Sequence, residues 1–134
     1  MTPINNLLLV DDDELFTFMT KKIIEKTNLA NQIRIFENGK LAIDFLDATS
    51  EKKELLPEVI LLDLSMPVLD GWGFLEEYIL LKPRLAKKIT LYIVSSSVSP
   101  KDHQRAKEYS DISDFIIKPM TTETFIDLIK NLPV

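Results

Sequence analysis

Short runs of Val, Ile and Leu recur along the chain, and each is long enough for a strand that is buried on both faces of a sheet. Helical periodicity, with apolar residues three or four positions apart, lies between and after these runs. The pattern therefore predicts an alternating order of strands and helices. The predicted strands are Leu7–Val10, Ile33–Phe36, Val59–Leu62, Leu91–Val94 and Phe115–Ile117.

The predicted helices differ in how apolar their inner faces are. The first spans about 14–26, with Phe16, Met19 and Ile23 on its inner side. The second, third and last carry the apolar sets Leu41, Ala42, Phe45 and Leu46; Phe74, Leu75, Tyr78 and Ile79; and Phe125, Leu128, Ile129 and Leu132. The fourth, Pro100–Tyr109, offers little beyond Ala106 and Tyr109. We therefore expect the fourth helix to be the least firmly anchored element.

Five strand–helix alternations predict an α/β fold: a doubly wound, five-stranded parallel sheet with helices on both faces. No internal repeat, low-complexity tract or interdomain linker interrupts the pattern, so residues 1–134 are expected to form one domain. In sheets of this kind, ligands bind outside the carboxyl ends of the strands. The residues that follow each strand are therefore the candidates for function.

Polar and charged residues follow four of the five predicted strands. They are Asp11, Asp12 and Asp13 after the first, Asp63 after the third, Ser95, Ser96 and Ser97 after the fourth, and Lys118 after the fifth. Several carboxylates at one point favour a hard divalent cation such as Mg²⁺. A carboxylate beside that metal can act as the nucleophile towards a phosphoryl group. Mg²⁺, Lys118 and a hydroxyl donor from Ser95 could divide the three oxygens of that group among them. The set thus predicts Mg²⁺-dependent phosphoryl transfer.

Composition and charge argue against several kinds of partner and site. The net charge of −5 argues against a nucleic-acid surface, because phosphate binding needs clustered Lys and Arg. Cysteine is absent, which excludes disulfides and thiolate metal sites. The apolar runs are too short to span a bilayer, and the first residues show no signal peptide. We expect a cytoplasmic protein without membrane insertion.

The stretch "VILLDLSMPVLDG" carries a resemblance to a known family. Together with the acidic residues after the first strand and the Lys-Pro pair after the fifth, it resembles the receiver domain of two-component response regulators over nearly the whole chain. The motif D-x-x-M-P-x-x-D-G is present as Asp63, Met66, Pro67, Asp70 and Gly71. The resemblance implies a flavodoxin-like sheet of order 2-1-3-4-5 and a cis bond between Lys118 and Pro119.

The resemblance also implies a role for each candidate residue. Asp63 is the expected phosphoacceptor, and Mg²⁺ is expected on Asp11, Asp12, Asp63 and the backbone carbonyl of Ser65. Ser95 and Lys118 would bind the phosphoryl oxygens, and Ser95 with Phe115 would form a switch. A histidine kinase, a phosphotransfer protein or a small phosphodonor would supply the phosphoryl group. Without an output domain, the signal would pass to an unidentified downstream protein.

Two departures from the family pattern affect expectations about rate. Ser65 stands where many receivers have Asn, and Ser96 where Ala or Gly is usual. In the family, the side chains at the positions of Ser65 and Ser97 influence hydrolysis of the phosphoryl group, so its lifetime does not carry over.

Three other functions fit parts of the pattern. A haloacid-dehalogenase-like phosphatase would use Asp11 as nucleophile and Asp13 as general acid, but its late acidic pair is not evident. A flavodoxin-like cofactor binder would need the first loop to hold a phosphate, which three aspartates would repel. A receiver that acts only as a scaffold stays open.

Some of the same residues also have purely structural interpretations. Asp13 is expected to cap the first helix. Trp72 is expected to pack the third helix, and the single histidine, His103, to lie on an exposed face.

Overall fold

The computed structural model describes residues 2–133, in which strands and helices alternate throughout. The strands are β1 (Ile4–Val10), β2 (Ala30–Phe36), β3 (Val59–Leu62), β4 (Thr90–Ser95) and β5 (Ile112–Ile117). The helices are α1 (Glu14–Thr27), α2 (Gly39–Ala48), α3 (Gly71–Leu81), α4 (Pro100–Lys107) and α5 (Thr122–Lys130), with a short 3₁₀ turn at Lys82–Arg84.

The five strands form one parallel sheet in the order β2-β1-β3-β4-β5. This confirms the predicted doubly wound fold and its strand order. The order reverses at β1, because the chain goes first to β2 on one side and then to β3 on the other. The carboxyl ends of β1 and β3 therefore border the crevice in which such sheets bind ligands.

Side chains of the sheet alternate between two apolar layers. Leu7, Leu9 and Leu61 point into the layer formed with α1 and α5, where Phe125 is fully buried. Leu8, Val10, Ile60, Leu62 and Ile93 point into the opposite layer, formed with α2, α3 and α4. This alternation determines which helices each residue beyond a strand end faces.

The expectation that every strand is buried on both faces is wrong for the two edge strands. β3 and β4 are buried throughout, whereas β2 and β5 each contain exposed and half-buried residues. β5 also begins three residues earlier than predicted, because Ser113 and Asp114 face solvent at the edge and break the apolar run.

The predicted inner face of α1 is also wrong in part. Thr17, Thr20 and Ile24 are the buried residues of this helix, while Met19 is mostly exposed. Threonine methyl groups can pack in a core, since each hydroxyl is able to bond to the helix backbone, as the Thr17 hydroxyl does to the carbonyl of Glu14 at 3.1 Å. An apolar count overlooks such residues.

α4 has the weak apolar anchoring that its sequence predicts, with Ala106 as its buried residue. Aromatic contacts take the place of aliphatic ones. Trp72, at the start of α3, is buried and stacks on Tyr109, and the Arg105 guanidinium lies 4.4 Å from its ring centre. His103 is half-buried against Phe115 and not on an exposed face as expected, because an aromatic ring on β5 offers it a stacking partner.

Two further expectations concern the backbone and the membrane. The Lys118–Pro119 bond is cis, as the resemblance implies. Among residues 2–133, no helix combines the length and the apolar character that a bilayer crossing needs.

We predict that Gly71→Ala destabilises the fold by about 2 kcal/mol. A Cβ at this position would collide with the backbone carbonyl of Asp63 and lie 2.8 Å from the Cα of Leu64, so the backbone itself must shift. Urea unfolding measures the loss. Gly73→Ala is the matched control, since its Cβ would meet only the movable end of the Leu69 side chain at 2.5 Å. Equal midpoints for the two variants would contradict the prediction.

Candidate functional site at the carboxyl edge of the sheet

The strand register places the predicted site residues side by side. Val10 of β1 pairs with Leu62 of β3, so Asp11 and Asp63 leave the sheet next to each other. The backbone amide of Asp63 donates to the carbonyl of Val10 at 2.9 Å. On the other side of β3, the amide of Lys118 donates to the carbonyl of Ser95 at 2.9 Å, which brings these two residues to the same edge.

Three of the four acidic residues converge. Carboxylate oxygens of Asp11, Asp12 and Asp63 lie within 4.8 Å of one another. Asp11 and Asp63 are only 2% and 7% exposed, whereas Asp12 is exposed. Asp13 turns away as the N-cap of α1, where it accepts a hydrogen bond from the amide of Phe16 at 3.0 Å, as predicted. The acidic run therefore divides into a convergent pair and a helix cap.

Lys118 is the cation of this cluster. Its Nζ lies 2.9 Å from Asp11 Oδ2 and 3.8 Å from Asp63 Oδ1. The same nitrogen lies 4.1 Å from the ring centre of Phe16, on the first turn of α1. The ammonium thus has two carboxylates and an aromatic face as neighbours, and each of them attracts a positive charge.

Burial, and to a lesser degree repulsion by neighbouring carboxylates, raises the pKa values of the two buried carboxyl groups. Desolvation and the charge of Asp11 raise the pKa of Asp63 from 3.8 to about 6, although Lys118 acts in the opposite direction. Desolvation also raises the pKa of Asp11, and a hydrogen bond from the amide of Asp13 together with Lys118 opposes that rise. Asp63 is therefore mostly ionised above neutral pH and more basic than an ordinary aspartate, which suits a nucleophile.

The cluster fits a hard divalent cation on its own geometry. Asp11 Oδ2 is buried and has Lys118 as an ionic neighbour, yet it accepts no well-directed hydrogen bond. A buried carboxylate oxygen in that condition has unused capacity to bind a cation. Carboxylate oxygens are the ligands that Mg²⁺ prefers. Ser65 lies exposed in the loop after β3, and Asp70 ends that loop by capping α3 through the amide of Gly73 at 2.9 Å.

Ser95 and Phe115 occupy the other side of this edge. Ser95 is buried, and its Oγ accepts a hydrogen bond from the amide of Ser97 at 3.1 Å. Phe115 pairs in register with Ile93, two residues before Ser95, so it lies on the same face of the sheet as Ser95. Its ring is half-buried and stacks on His103, with 3.8 Å between the ring centres.

Three residues that contact this site were not predicted from the sequence. Phe16 was predicted only as a core residue, although it supports Lys118. Asp102 and His103 reach the loop after β4 from α4. The position of Phe16 in the first turn after the acidic run was a usable signal for the first of these, because that turn must border the strand ends. No signal in the sequence pointed to the other two.

We predict that Asp63→Asn stabilises the metal-free chain at pH 7.5 by about 1 kcal/mol, a value reduced from the full pKa shift because solvent screens part of it. The folded-state pKa of Asp63 lies above its unfolded value, so stability falls as the pH rises from about 4 to about 6 and then levels off. The gain should therefore vanish near pH 4. Urea unfolding in a chelator at both pH values measures it. Glu76→Gln, at an exposed carboxylate of α3, is the charge-matched control. A variant no more stable than wild type at pH 7.5 would contradict the prediction.

Comparison with known proteins gives a consistent result. The family model "Response regulator receiver domain" matches residues 7–130. The crystal structure of a two-component response regulator from Cytophaga hutchinsonii superposes with a TM-score of 0.86 at 25% identity, covering 97% of each chain. A probable methanogenesis regulatory protein, FilR2 from Methanothrix harundinacea, is 28% identical over 118 residues, which are 87% of this chain and 74% of that protein.

Other relatives are longer or more distant. The chain spans 27% of a protein-glutamate methylesterase/protein-glutamine glutaminase from Treponema pallidum, which is 32% identical over 120 residues, 88% of this chain. The receiver domain of sensor histidine kinase PA1611 from Pseudomonas aeruginosa shares the fold, with a TM-score of 0.76 at 15% identity and 96% coverage of both chains, and its structure has a magnesium ion coordinated in the active-site cleft. With its parallel sheet of order 2-1-3-4-5 and the match over residues 7–130, the chain belongs to the receiver domain family of two-component response regulators.

Proposed function

We propose that Asp63 accepts a phosphoryl group and that its phosphorylation switches a protein-binding surface. The observation that carries the proposal is the placement of Asp63 between two further carboxylates and the Lys118 ammonium at the edge where such sheets bind ligands. Receiver domains are signalling modules, and the methylesterase activity named for one longer relative concerns that protein. We assign this chain no activity beyond its own phosphorylation and dephosphorylation.

The chemistry is a displacement at phosphorus. An Asp63 carboxylate oxygen attacks the phosphorus of a phosphohistidine or of acetyl phosphate, and a P–O bond to Asp63 forms. The bond from phosphorus to the donor's imidazole nitrogen or acetate oxygen breaks, and the electron pair leaves with the donor. The raised pKa of Asp63 makes its carboxylate a stronger nucleophile than an ordinary aspartate.

Two side chains meet the oxygens of the transferred group from opposite sides. Lys118 Nζ, 3.8 Å from Asp63 Oδ1, supplies positive charge from the side of α1. The hydroxyl of Ser95, whose oxygen already accepts the Ser97 amide, has its own proton free to donate. The Lys118 charge lies beside Asp63 before the reaction, and charge that is positioned in advance accelerates phosphoryl transfer.

Asp11, Asp12 and Asp63 would hold Mg²⁺, with the backbone carbonyl of Ser65 as the expected further ligand. When bound, the ion supplies positive charge that favours transfer of the phosphoryl group. Binding of a cation would also favour the charged forms of Asp11 and Asp63, whose pKa values are raised by burial first and by neighbouring carboxylates second.

The geometry argues against Asp11 as the nucleophile of a phosphatase. Its Oδ1 accepts the amide of Asp13 at 2.9 Å, and its Oδ2 faces Lys118. Asp13, the general acid in that alternative, is held as a helix cap by the amide of Phe16. Asp11 is thus held by the Asp13 amide and by Lys118 at 2.9 Å, and Asp13 by its role as the α1 cap, whereas Lys118 lies farther from Asp63, at 3.8 Å from its Oδ1.

The switch is proposed to involve Ser95 and Phe115. When Ser95 is drawn towards the phosphoryl group, Phe115 on the same sheet face changes its packing and alters the surface of α4 and β5. α4 buries little apolar surface, so its displacement costs little free energy. The signal would then pass through protein contact in the cytoplasm.

The outer face of α1 is proposed to receive the phosphodonor protein. Leu15, Phe18 and Met19 are 69%, 60% and 55% exposed, and their i, i+3, i+4 spacing makes one apolar stripe on the helix. We call these three residues the α1 stripe. The stripe begins in the first turn of α1, which borders the site because Phe16 in the same turn contacts Lys118. An apolar helix face of a histidine kinase or phosphotransfer protein fits such a stripe.

The first test is intact-mass measurement after incubation with acetyl phosphate and Mg²⁺. We expect the wild-type chain and Asp11→Asn to gain one phosphoryl group, the latter more slowly because it loses part of the acidic cluster. Asp63→Asn should gain none. The opposite pattern, with the adduct lost only in Asp11→Asn, would favour the phosphatase. No adduct on the wild-type chain would leave a scaffold and overturn the proposal.

The second test concerns the α1 stripe. Phe18→Ser should slow phosphorylation by a phosphohistidine protein at least about tenfold, because loss of a buried interface aromatic commonly costs about 2 kcal/mol. Its rate with acetyl phosphate should stay within about twofold, since that donor needs no docking surface. Leu80→Ser removes an exposed apolar residue from α3, 80% exposed against 60% for Phe18, and is the matched control. If both variants slow protein-dependent transfer equally, the stripe is not the docking surface.

A further inference from the structure

The first turn of α4 contacts two atoms of Ser97, in the loop after β4. The hydroxyl of Ser97 donates to Asp102 Oδ2 at 2.6 Å. The carbonyl oxygen of the same serine lies 3.0 Å from Nε2 of His103. Because Asp102 and His103 are adjacent in one helical turn, Ser97 is held through both its side chain and its backbone.

Ser97 passes this restraint to the site. Its backbone amide donates to Oγ of Ser95 at 3.1 Å. Ser95 is buried, and this bond occupies one acceptor position of its hydroxyl oxygen, so the direction left for the hydroxyl proton depends on where Ser97 stands. A continuous chain of two hydrogen bonds therefore runs from Asp102 through Ser97 to Ser95.

The same turn contacts the proposed switch residue. The His103 ring stacks on Phe115 with 3.8 Å between centres and 24° between planes. Ala106 is the buried residue of α4, so apolar packing gives this end of the helix little support. The contacts of Asp102 and His103 thus contribute much of what joins the start of α4 to the sheet edge.

We propose that Asp102 is a positioning residue for phosphoryl transfer, which acts through Ser97 to orient the Ser95 hydroxyl towards the phosphoryl oxygens. His103 makes the second contact: it binds the carbonyl of Ser97, which helps to hold Ser97 beside Asp102, and its ring stacks on Phe115. The inference deepens the proposed function and rests on it. It gives α4 a part in the rate of the reaction, although the first turn of this helix contacts Ser97 and Phe115 and not Asp63.

The test compares initial rates of phosphorylation by acetyl phosphate in Mg²⁺, followed by intact mass. Asp102→Ala and Ser97→Ala should each be about threefold to tenfold slower than wild type, because either change breaks the chain to Ser95. The double variant should be no slower than the slower single variant, since both changes remove one link. Lys101→Ala, at an exposed position of the same turn, should match wild type.

Conservative variants separate positioning from helix stability. Asp102→Asn removes the same charge from the first turn of α4 as Asp102→Ala does, but its amide oxygen still accepts the Ser97 hydroxyl. Ser97→Thr keeps the donor. Both should restore most of the rate, and thermal unfolding should show that all variants are folded at the assay temperature.

The results distinguish failure of the proposed function from failure of this inference alone. If the wild-type chain gains no phosphoryl group, the proposed function fails and this inference fails with it. If the wild-type chain is phosphorylated and Ser97→Ala matches its rate, only the inference is overturned. Equal slowing in Asp102→Asn and Asp102→Ala would also overturn it, because Asp102 would then act through charge and not through Ser97.

Discussion

The close approach of two buried carboxylates, Asp11 and Asp63, is the constraint on which the rest of the site depends. It follows directly from the pairing of Val10 with Leu62, because the residues that come next in β1 and β3 then leave the sheet side by side. With Asp12, three negative charges face the single positive charge of Lys118, so two remain uncompensated when all are ionised. A divalent cation would supply that charge. Without one, burial and, to a lesser degree, repulsion among the carboxylates raise the pKa values of Asp11 and Asp63.

Strand alternation distributes the remaining groups around this pair. Lys118 continues the face of the sheet that packs on α1 and α5, which is why its ammonium meets Phe16. Ser95 and Phe115 belong to the opposite face, beneath α4. The charge that would stabilise a phosphoryl group therefore comes from one layer, and the groups that would report its presence come from the other. One register thus places the proposed chemistry and the proposed switch on opposite faces of the sheet.

The sequence predicts most of this arrangement, because its central strands are continuous apolar runs that end abruptly in polar residues. β3 and β4 are buried throughout, and the residues after them were identified correctly as neighbours at one edge. The prediction was weaker where burial is partial. The first half of edge strand β5 was not predicted, because exposed Ser113 and Asp114 interrupt its apolar pattern. The inner face of α1 includes buried threonines, which a count of apolar residues does not detect. Contacts made by polar or aromatic side chains across elements, such as His103 on Phe115, have no periodicity to reveal them.

The weak packing of α4 is consistent with the connections that the structure gives it. A helix fixed by a large apolar face would resist displacement, since packed cores change between discrete arrangements only at considerable cost. α4 is instead joined to its surroundings by directional contacts at its two ends: Asp102 and His103 at the first turn, and Arg105 with Tyr109 against Trp72 at the last. Directional contacts are lost over a short displacement, so a small movement of Ser95 and Ser97 is enough to change what the first turn of α4 holds. A marginally packed helix with specific end contacts is therefore suited to the proposed phosphorylation switch, which requires a displacement at low cost in free energy.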